Sequence, residues 1–275
     1  MLSYRHGFHA GNAADVLKHG VLVFCLDYLR QKEKPFLCVD TYAGAGLYHH
    51  NREWKDGVGK LLPFLPEREK IPSMPGRYLE IISRGRPAED IDRYPGSPLL
   101  MEGLLREQDR LVCFELHPED FKTLVQVTGS RTEVRQEDGP GGLKALLPPP
   151  SRRGLVFIDP SWEEKDEYES IPLAAAGALK RFPGGIYIIW YPLLASPKAG
   201  LDLSGTLLGL HGGRRCRAEL HTASRDRPPA NSPRGMYGSG LVVYNPPWTL
   251  RPALEEALPF LASVLGGCRR FDWYD

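Results

Sequence analysis

Short runs in which nearly every residue is apolar, each closed by turn formers, constrain this chain more than any other feature. They lie at 35–39, 111–114, 154–158, 186–190 and 240–244. A strand with one wet face alternates polar and apolar residues. A strand apolar throughout has both faces covered, as in a parallel sheet between two layers of helix. Helix-period stretches separate the runs, at 14–30, 98–108, 118–128 and 171–182. Strands alternating with helices predict βαβ units and an α/β, Rossmann-like fold: a mostly parallel twisted sheet with helices on both faces. The 275 residues suffice for one such domain plus an insertion, and we read 1–275 as a single domain.

The interval 46–93 breaks the rhythm. It carries Pro63, Pro66, Pro72, Pro75 and Pro87 among many charges, and is too long for an ordinary connection. It predicts a small helical insertion over 47–93. Because it leaves the end of the first strand, where ligands bind in such sheets, it is placed to roof a substrate cleft.

Composition removes several function classes. No apolar run approaches the ~20 residues that span a bilayer, and the N-terminus Met1-Leu2-Ser3-Tyr4-Arg5-His6 is polar, so we expect a cytoplasmic protein with no membrane partner. The five cysteines, Cys25, Cys38, Cys113, Cys216 and Cys268, include no Cys-x-x-Cys pair; they read as reduced packing residues. Eight histidines include the pairs His6, His9 and His49, His50, without an acid or cysteine at ligand spacing, so no metal site is expected. A formal net charge of +1 excludes a globally basic nucleic-acid binder. Phosphate contacts would have to come from a local patch, and 214–234 offers one: Arg214, Arg215, Arg217, Arg225, Arg227 and Arg234 against Glu219 and Asp226.

In an open α/β sheet the residues that end the strands face the ligand. The first run ends in Asp40-Thr41-Tyr42-Ala43-Gly44-Ala45-Gly46, where small residues let the backbone approach a ligand. The second ends in Glu115, an acid placed to accept from both hydroxyls of a ribose. After Val134-Arg135-Gln136-Glu137 comes Asp138-Gly139, where a carboxylate can accept from an adenine amino group. The run at 154–158 ends in Asp159-Pro160-Ser161-Trp162. A glycine turn, a ribose acid, an adenine acid and an acid-Pro-x-aromatic, in that order, suit an adenosyl cofactor beside a planar amine. S-adenosylmethionine lacks a pyrophosphate and carries a sulfonium cation, so an acid such as Asp40 near the loop is welcome where a dinucleotide would prefer amides.

Asp159 is the expected catalytic group. The amino nitrogen of adenine or cytosine is a poor nucleophile, because its lone pair is spread into the ring. If the Asp159 carboxylate and the Pro160 carbonyl each accept one N–H, the nitrogen is drawn pyramidal as charge develops on it. Trp162 is expected to stack on the flipped base. A second tetrapeptide, Asn245-Pro246-Pro247-Trp248, matches the amine-methylating pattern more closely. It falls near the far end of the sheet, whereas Asp159 ends the strand next to the cofactor strand, so order favours Asp159.

The N-terminal stretch Met1-Leu2-Ser3-Tyr4-Arg5-His6-Gly7-Phe8-His9-Ala10-Gly11-Asn12, continuing through Asp15-Val16-Leu17-Lys18-His19, closely resembles the start of the bacterial RlmJ family, also called ComJ. Further matches are Asp40 to Gly46, Tyr94-Pro95-Gly96-Ser97-Pro98, Glu115-Leu116-His117-Pro118, Asp138-Gly139, Arg152-Arg153-Gly154, Trp190-Tyr191-Pro192 and Asn245-Pro246-Pro247-Trp248, nearly the whole chain. The resemblance implies a Rossmann-like 23S rRNA adenine-N6 methyltransferase with a helical insertion, acting as a monomer on protein-free or early-assembly RNA. By position it implies cofactor contacts at His19, Tyr42, Gly44, Ser97, Glu115, Asp138, Gly139 and Asp159, with Tyr4 near the substrate base. Two positions depart from the family pattern: Tyr42 stands for a histidine, and Ser161 for the second proline of a motif that continues with tyrosine. Trp162 for that tyrosine keeps an aromatic ring, but at Ser161 the fixed φ of proline is lost.

Three other readings compete. A DNA adenine methyltransferase shares the base chemistry, the 2′-hydroxyl and strand shape alone distinguishing the substrates. A nucleic-acid-binding or uptake protein could keep the cofactor fold without turnover. A nicotinamide or flavin enzyme would want a fuller Gly-x-Gly-x-x-Gly loop and leaves Asp159-Pro160 unexplained.

Overall fold

The computed structural model describes residues 9–49, 53–195, 202–230 and 235–275. Its helices are α1 (Ala13–Arg30), α2 (Val58–Leu61), α3 (Ser73–Ser83), α4 (Ser97–Leu104), α5 (Pro118–Val127), α6 (Gly139–Leu146), α7 (Glu167–Arg181), α8 (Leu203–Leu208) and α9 (Leu250–Leu265). Its strands are β1 (Leu37–Asp40), β2 (Leu47–His49), β3 (Arg93–Pro95), β4 (Arg110–Phe114), β5 (Thr132–Arg135), β6 (Gly154–Ile158), β7 (Ile186–Leu194), β8 (Arg215–His221), β9 (Met236–Tyr244) and β10 (Cys268–Tyr274).

Eight strands form one sheet in the order β10-β8-β9-β7-β6-β1-β4-β5. β5, β4, β1, β6 and β7 are parallel. β9 runs antiparallel to both β7 and β8, and β10 antiparallel to β8, so β8 points the same way as the parallel set. The apolar runs are buried at the centre, with β6 covered at every residue. Strand order reverses at β1, whose neighbours are β4 and β6; that switch point is where an open α/β sheet leaves a crevice.

Two expectations need revision. The helix read over 98–108 ends at Leu104, and Leu105 is extended. The cause is Asp109, fully buried, whose carboxylate accepts from the amides of Phe36 and Arg106 and from the Arg106 guanidinium. That acid-centred turn outcompetes another turn of helix. The stretch 214–234, read as one basic patch, contains β8 instead. Cys216, Ala218 and Leu220 alternate with charged residues and are buried, the period-two signature of a strand. Arg217 is itself buried, and its guanidinium clamps Asp272 on β10 (Nε 2.8 Å).

The interval between β1 and α4 holds α2, α3 and the 3-10 helix Leu62–Lys70, framed by β2 and β3. β2 and β3 pair antiparallel and bring Gly46 and Gly96 together (Gly96 N donates to Gly46 O, 2.8 Å). α3 packs on α1 and α9, beside the sheet. Among the described residues of 47–93, Tyr48 alone lines the cleft between β1, β4 and β6, so the bulk of the described interval does not roof it.

Candidate active site

A cleft of about 260 Å³ opens at the carboxyl ends of β1, β4 and β6, and His19, Tyr42, Gly44, Ser97, Glu115, Asp138, Gly139 and Asp159 all line it. Most of them meet there because they follow a parallel strand or start the helix after it; His19 enters from within α1, and Ser97 starts α4 after β3.

The floor is the turn after β1. Gly44 has φ +62, and a Cβ there would lie 2.2 Å from Tyr48 Oη; a Cβ on Gly139 would lie 2.1 Å from Thr41 O. Only glycine allows α6 to approach the β1 turn so closely, and that is how a cradle for a flat ligand is made. Glu115 holds the turn from across the cleft: its carboxylate accepts from Gly44 N (2.7 Å) and His117 N (2.6 Å). Burial raises its pKa and the two amides pull it back. Each oxygen keeps a second lone pair for a hydroxyl. Asp138 caps α6, its Oδ2 accepting from Gly141 N at 2.8 Å. Asp40 is wholly buried at the end of β1, and desolvation pushes its pKa up to about 7, with Asp159 and Glu115 adding to the rise.

His19 reaches the cleft from α1, with Nδ1 2.5 Å from Tyr94 Oη, and Tyr94 is 2.8 Å from Tyr78 Oη. All three side chains are buried. The imidazole is thus tied to β3 and α3, which gives the interval 47–93 a mechanical link to the cleft.

Asp159 Oδ2 lies 2.6 Å from Lys18 Nζ, which is also 2.8 Å from Asp15 Oδ1. The Lys18 side chain is only 4% exposed and sits 5.2 Å over the Trp190 ring; Asp15 Oδ2 accepts from Gly11 N at 2.6 Å. Lys18 was missed by the strand-end argument, which looks only at strand ends. A signal did exist: Asp15, Lys18 and His19 share one face of an otherwise apolar helix, and buried charges are rarely unpaired.

Ser161 occupies the proline position. Its Oγ lies 3.3 Å from Glu167 Oε2 and accepts from Glu163 N at 3.2 Å, while Glu164 N donates to the same Glu167 oxygen at 3.3 Å. A side-chain clamp stands where a pyrrolidine ring would otherwise fix the loop. Burial raises the Glu167 pKa, its hydrogen bonds opposing.

Trp162 is corrected. It has no accessible surface, its backbone turns through φ +56, its Nε1 donates to Trp190 O (3.0 Å), and it packs edge-on to Tyr168. The left-handed residue after Ser161 directs the indole into the core, so no ring face is offered to a base. Pro160 is buried beside it and does not line the cleft. Tyr4 and Arg234 lie outside the described residues. Asn245 lies at the opposite edge of the sheet, because β9 runs antiparallel; its Nδ2 donates to Pro183 O and Gly185 O, both 2.7 Å. The arginine patch is divided likewise: Arg214 and Arg215 start β8 at that far edge, while Arg225 and Arg227 follow β8 on the cleft side.

This fold and this cleft define a Rossmann-like methyltransferase that uses S-adenosylmethionine. The family model described as "Ribosomal RNA large subunit methyltransferase D, RlmJ" matches residues 33–274. The chain is 40% identical to the ribosomal RNA large subunit methyltransferase J of Escherichia coli (strain K12) over 273 residues, 96% of this chain and 94% of that protein. The protein of that name from Haemophilus influenzae is also 40% identical, with the same coverage. A crystal structure of a Legionella pneumophila protein superposes with a TM-score of 0.86 at 34% identity, covering 97% of this chain and 99% of that one. The chain belongs to the RlmJ family of ribosomal RNA large subunit methyltransferases.

Proposed function

We propose that the protein methylates the exocyclic N6 of an adenine in 23S rRNA, and that Asp159 is the acceptor that makes the nitrogen nucleophilic. One observation carries the assignment: of the two Asx-Pro tetrapeptides, only the one at Asp159 opens into the cleft at the switch point.

The cleft suits the cofactor in shape and charge. Gly44 and Gly139 leave a cradle that a Cβ would fill. The carboxylates of Glu115 and Asp138 that line the cleft, with Asp40 buried behind the β1 turn, suit a ligand bearing cationic groups and hydroxyls rather than phosphates. S-adenosylmethionine, when bound, supplies an electrophilic methyl group on its sulfonium. Glu115 accepts from the ribose hydroxyls and Asp138 from the adenine amine, while Tyr42, Ser97 and His19 complete the wall.

Lys18 holds Asp159 through Oδ2 at the mouth of the strand, and the Asp159 carboxylate accepts an N–H of the target amine. That hydrogen bond strengthens as the nitrogen becomes cationic, which favours the transition state over the ground state. We place the protein in the cytoplasm, acting as a monomer on protein-free or early-assembly rRNA, with Tyr4 beside the base.

The test is transfer of labelled methyl to protein-free 23S rRNA lacking the modification, with unmethylated duplex DNA alongside and nucleoside analysis of the products. N6-methyladenosine in RNA alone is expected. Label in DNA would make it a DNA methyltransferase. Cofactor binding with no transfer to either would leave a nucleic-acid-binding protein.

A further inference from the structure

The Asn245 tetrapeptide and part of the arginine stretch are not used by the cleft, yet they meet in one place. A groove of about 720 Å³ at the amino edge of the sheet is lined by Lys32, Arg152, Arg153, Arg214 and Trp248, and no acid lines it among the described residues. Asn245 is committed to the backbone of the turn before β7 and lies in the turn that presents Trp248. The indole is 69% exposed, the reverse of Trp162.

The cations are available to different degrees. Arg153 is spent on the carbonyls of Leu29 and Lys34. Lys32, Arg152 and Arg214 are exposed. Among the described residues the ion-pair partner of Arg214 is Asp275, 4.0 Å away and itself open to solvent. The side chains of Lys32 and Arg152 make no ion pair among the described residues. Arg152 is held at φ +51 in the turn before β6, a conformation that a non-glycine residue pays for.

We propose that this groove docks RNA flanking the target adenine, with its phosphates on Lys32, Arg152 and Arg214 and one base stacked on Trp248. The inference rests on the RNA-methylating reading above. Charge complementarity selects the occupant: an acid-free cationic groove with an exposed aromatic platform is what a polyanion with stackable bases requires. The catalytic cleft cannot do this work, because Glu163, Glu164, Asp166 and Asp120 rim it and repel phosphates. Gly154 lines the groove and Asp159 the cleft, at the two ends of one strand. They are roughly 17 Å apart along the buried strand at ~3.3 Å per residue, so RNA passing round the outside needs more than about five nucleotides at ~3.4 Å each. A minimal stem presenting only the adenine would therefore not reach the groove, whereas longer RNA would.

The experiment compares the wild type with Trp248→Ala and with the triple variant Lys32→Gln/Arg152→Asn/Arg214→Gln, asparagine being chosen because it tolerates a positive φ. Binding of a labelled long 23S fragment is measured by anisotropy across salt, and methyl transfer is measured on that fragment and on a short stem. The proposal expects the KM for long RNA to rise about tenfold in each variant, kcat to be unchanged, and the short stem to be methylated as by the wild type. The triple variant should also lose about 2 from the slope of log K against log salt. Unchanged affinity and salt slope in both variants overturn it. Loss confined to ribosomal particles carrying proteins, with naked RNA unaffected, also overturns it and makes the groove a protein-docking surface. If the wild type methylates neither RNA, the functional reading itself fails, a result distinct from either.

Discussion

The two edges of this sheet carry nearly the same tetrapeptide and use it in opposite ways. Asp159-Pro160-Ser161-Trp162 follows β6, which runs with the parallel set, and opens into the cleft with its tryptophan in the core. Asn245-Pro246-Pro247-Trp248 follows β9, which runs against that set, and its tryptophan is in solvent. The Asp159 side chain is paired with Lys18 and faces ligand space, whereas the Asn245 amide is consumed by two backbone carbonyls. Strand direction thus decides what each motif faces: of the two Asx-Pro turns, the one at the edge where the parallel strands end lines the cleft.

The sharpest way to break this comparison is to swap the losses. Asp159→Ala should lower kcat more than about a thousandfold with cofactor affinity within about tenfold, because the acceptor acts mainly in the transition state. Asn245→Ala should leave kcat within about twofold and lower stability, by about 1–3 kcal/mol for two stranded backbone acceptors. Thermal melting guards the interpretation, since Asp159→Ala also removes an ion-pair partner from the buried Lys18 and destabilises the fold. An active Asp159→Ala, or an inactive Asn245→Ala that still folds, would reverse the assignment.

Much of the carboxyl edge was legible because the rule that ligands sit at the ends of parallel strands needs only the strands. Glu115 and Asp159 each end an apolar run, Asp138 follows the polar stretch after β4 and α5, and the cleft collects all three. His19 and Ser97 were found by resemblance alone, since neither ends a strand. Lys18 was invisible to that rule because it enters from α1. The amino edge was misread for a different reason. β8 hides a strand pattern under its arginines, and the direction of β9, which decides where Asn245 points, cannot be read from an apolar run. The same limit applied to Trp162: whether an aromatic after Asp-Pro stacks on a base or fills the core depends on one backbone dihedral.

A smaller effect sharpens the contrast in charge between the edges. Burial raises Asp40 to a pKa of about 7. Since the folded value lies above the ordinary carboxylate value, the protonated form is favoured by folding. Its contribution to stability is full at acid pH and lost as pH rises through 7. A cationic cofactor prefers the opposite, ionised form, which is about a tenth of the protein at pH 6 and about nine-tenths at pH 8. Affinity for S-adenosylmethionine should therefore climb up to about tenfold between those values, and Asp40→Asn should flatten the profile. A wild-type profile already flat in calorimetric titrations would place the cationic end of the cofactor away from Asp40.

The smallest effect concerns why the cleft edge tolerates Ser161 while Pro246-Pro247 stands at the amino edge. A proline would fix φ and hold the loop after Asp159 covalently. Here Glu167 does so by hydrogen bonds, accepting from Ser161 and from the Glu164 amide. If that clamp positions the loop, Glu167→Ala should lower kcat about three- to tenfold with the KM for S-adenosylmethionine unchanged, because the loss falls on alignment of the acceptors rather than on the cofactor. Introducing Ser161→Pro into Glu167→Ala should recover most of the loss, whereas Ser161→Pro alone should change little. That non-additivity is the diagnostic, since two independent structural defects would sum. A double variant slower than Glu167→Ala would show that the loop is held by its packing on Trp162, and that the Ser161–Glu167 contact is incidental to catalysis.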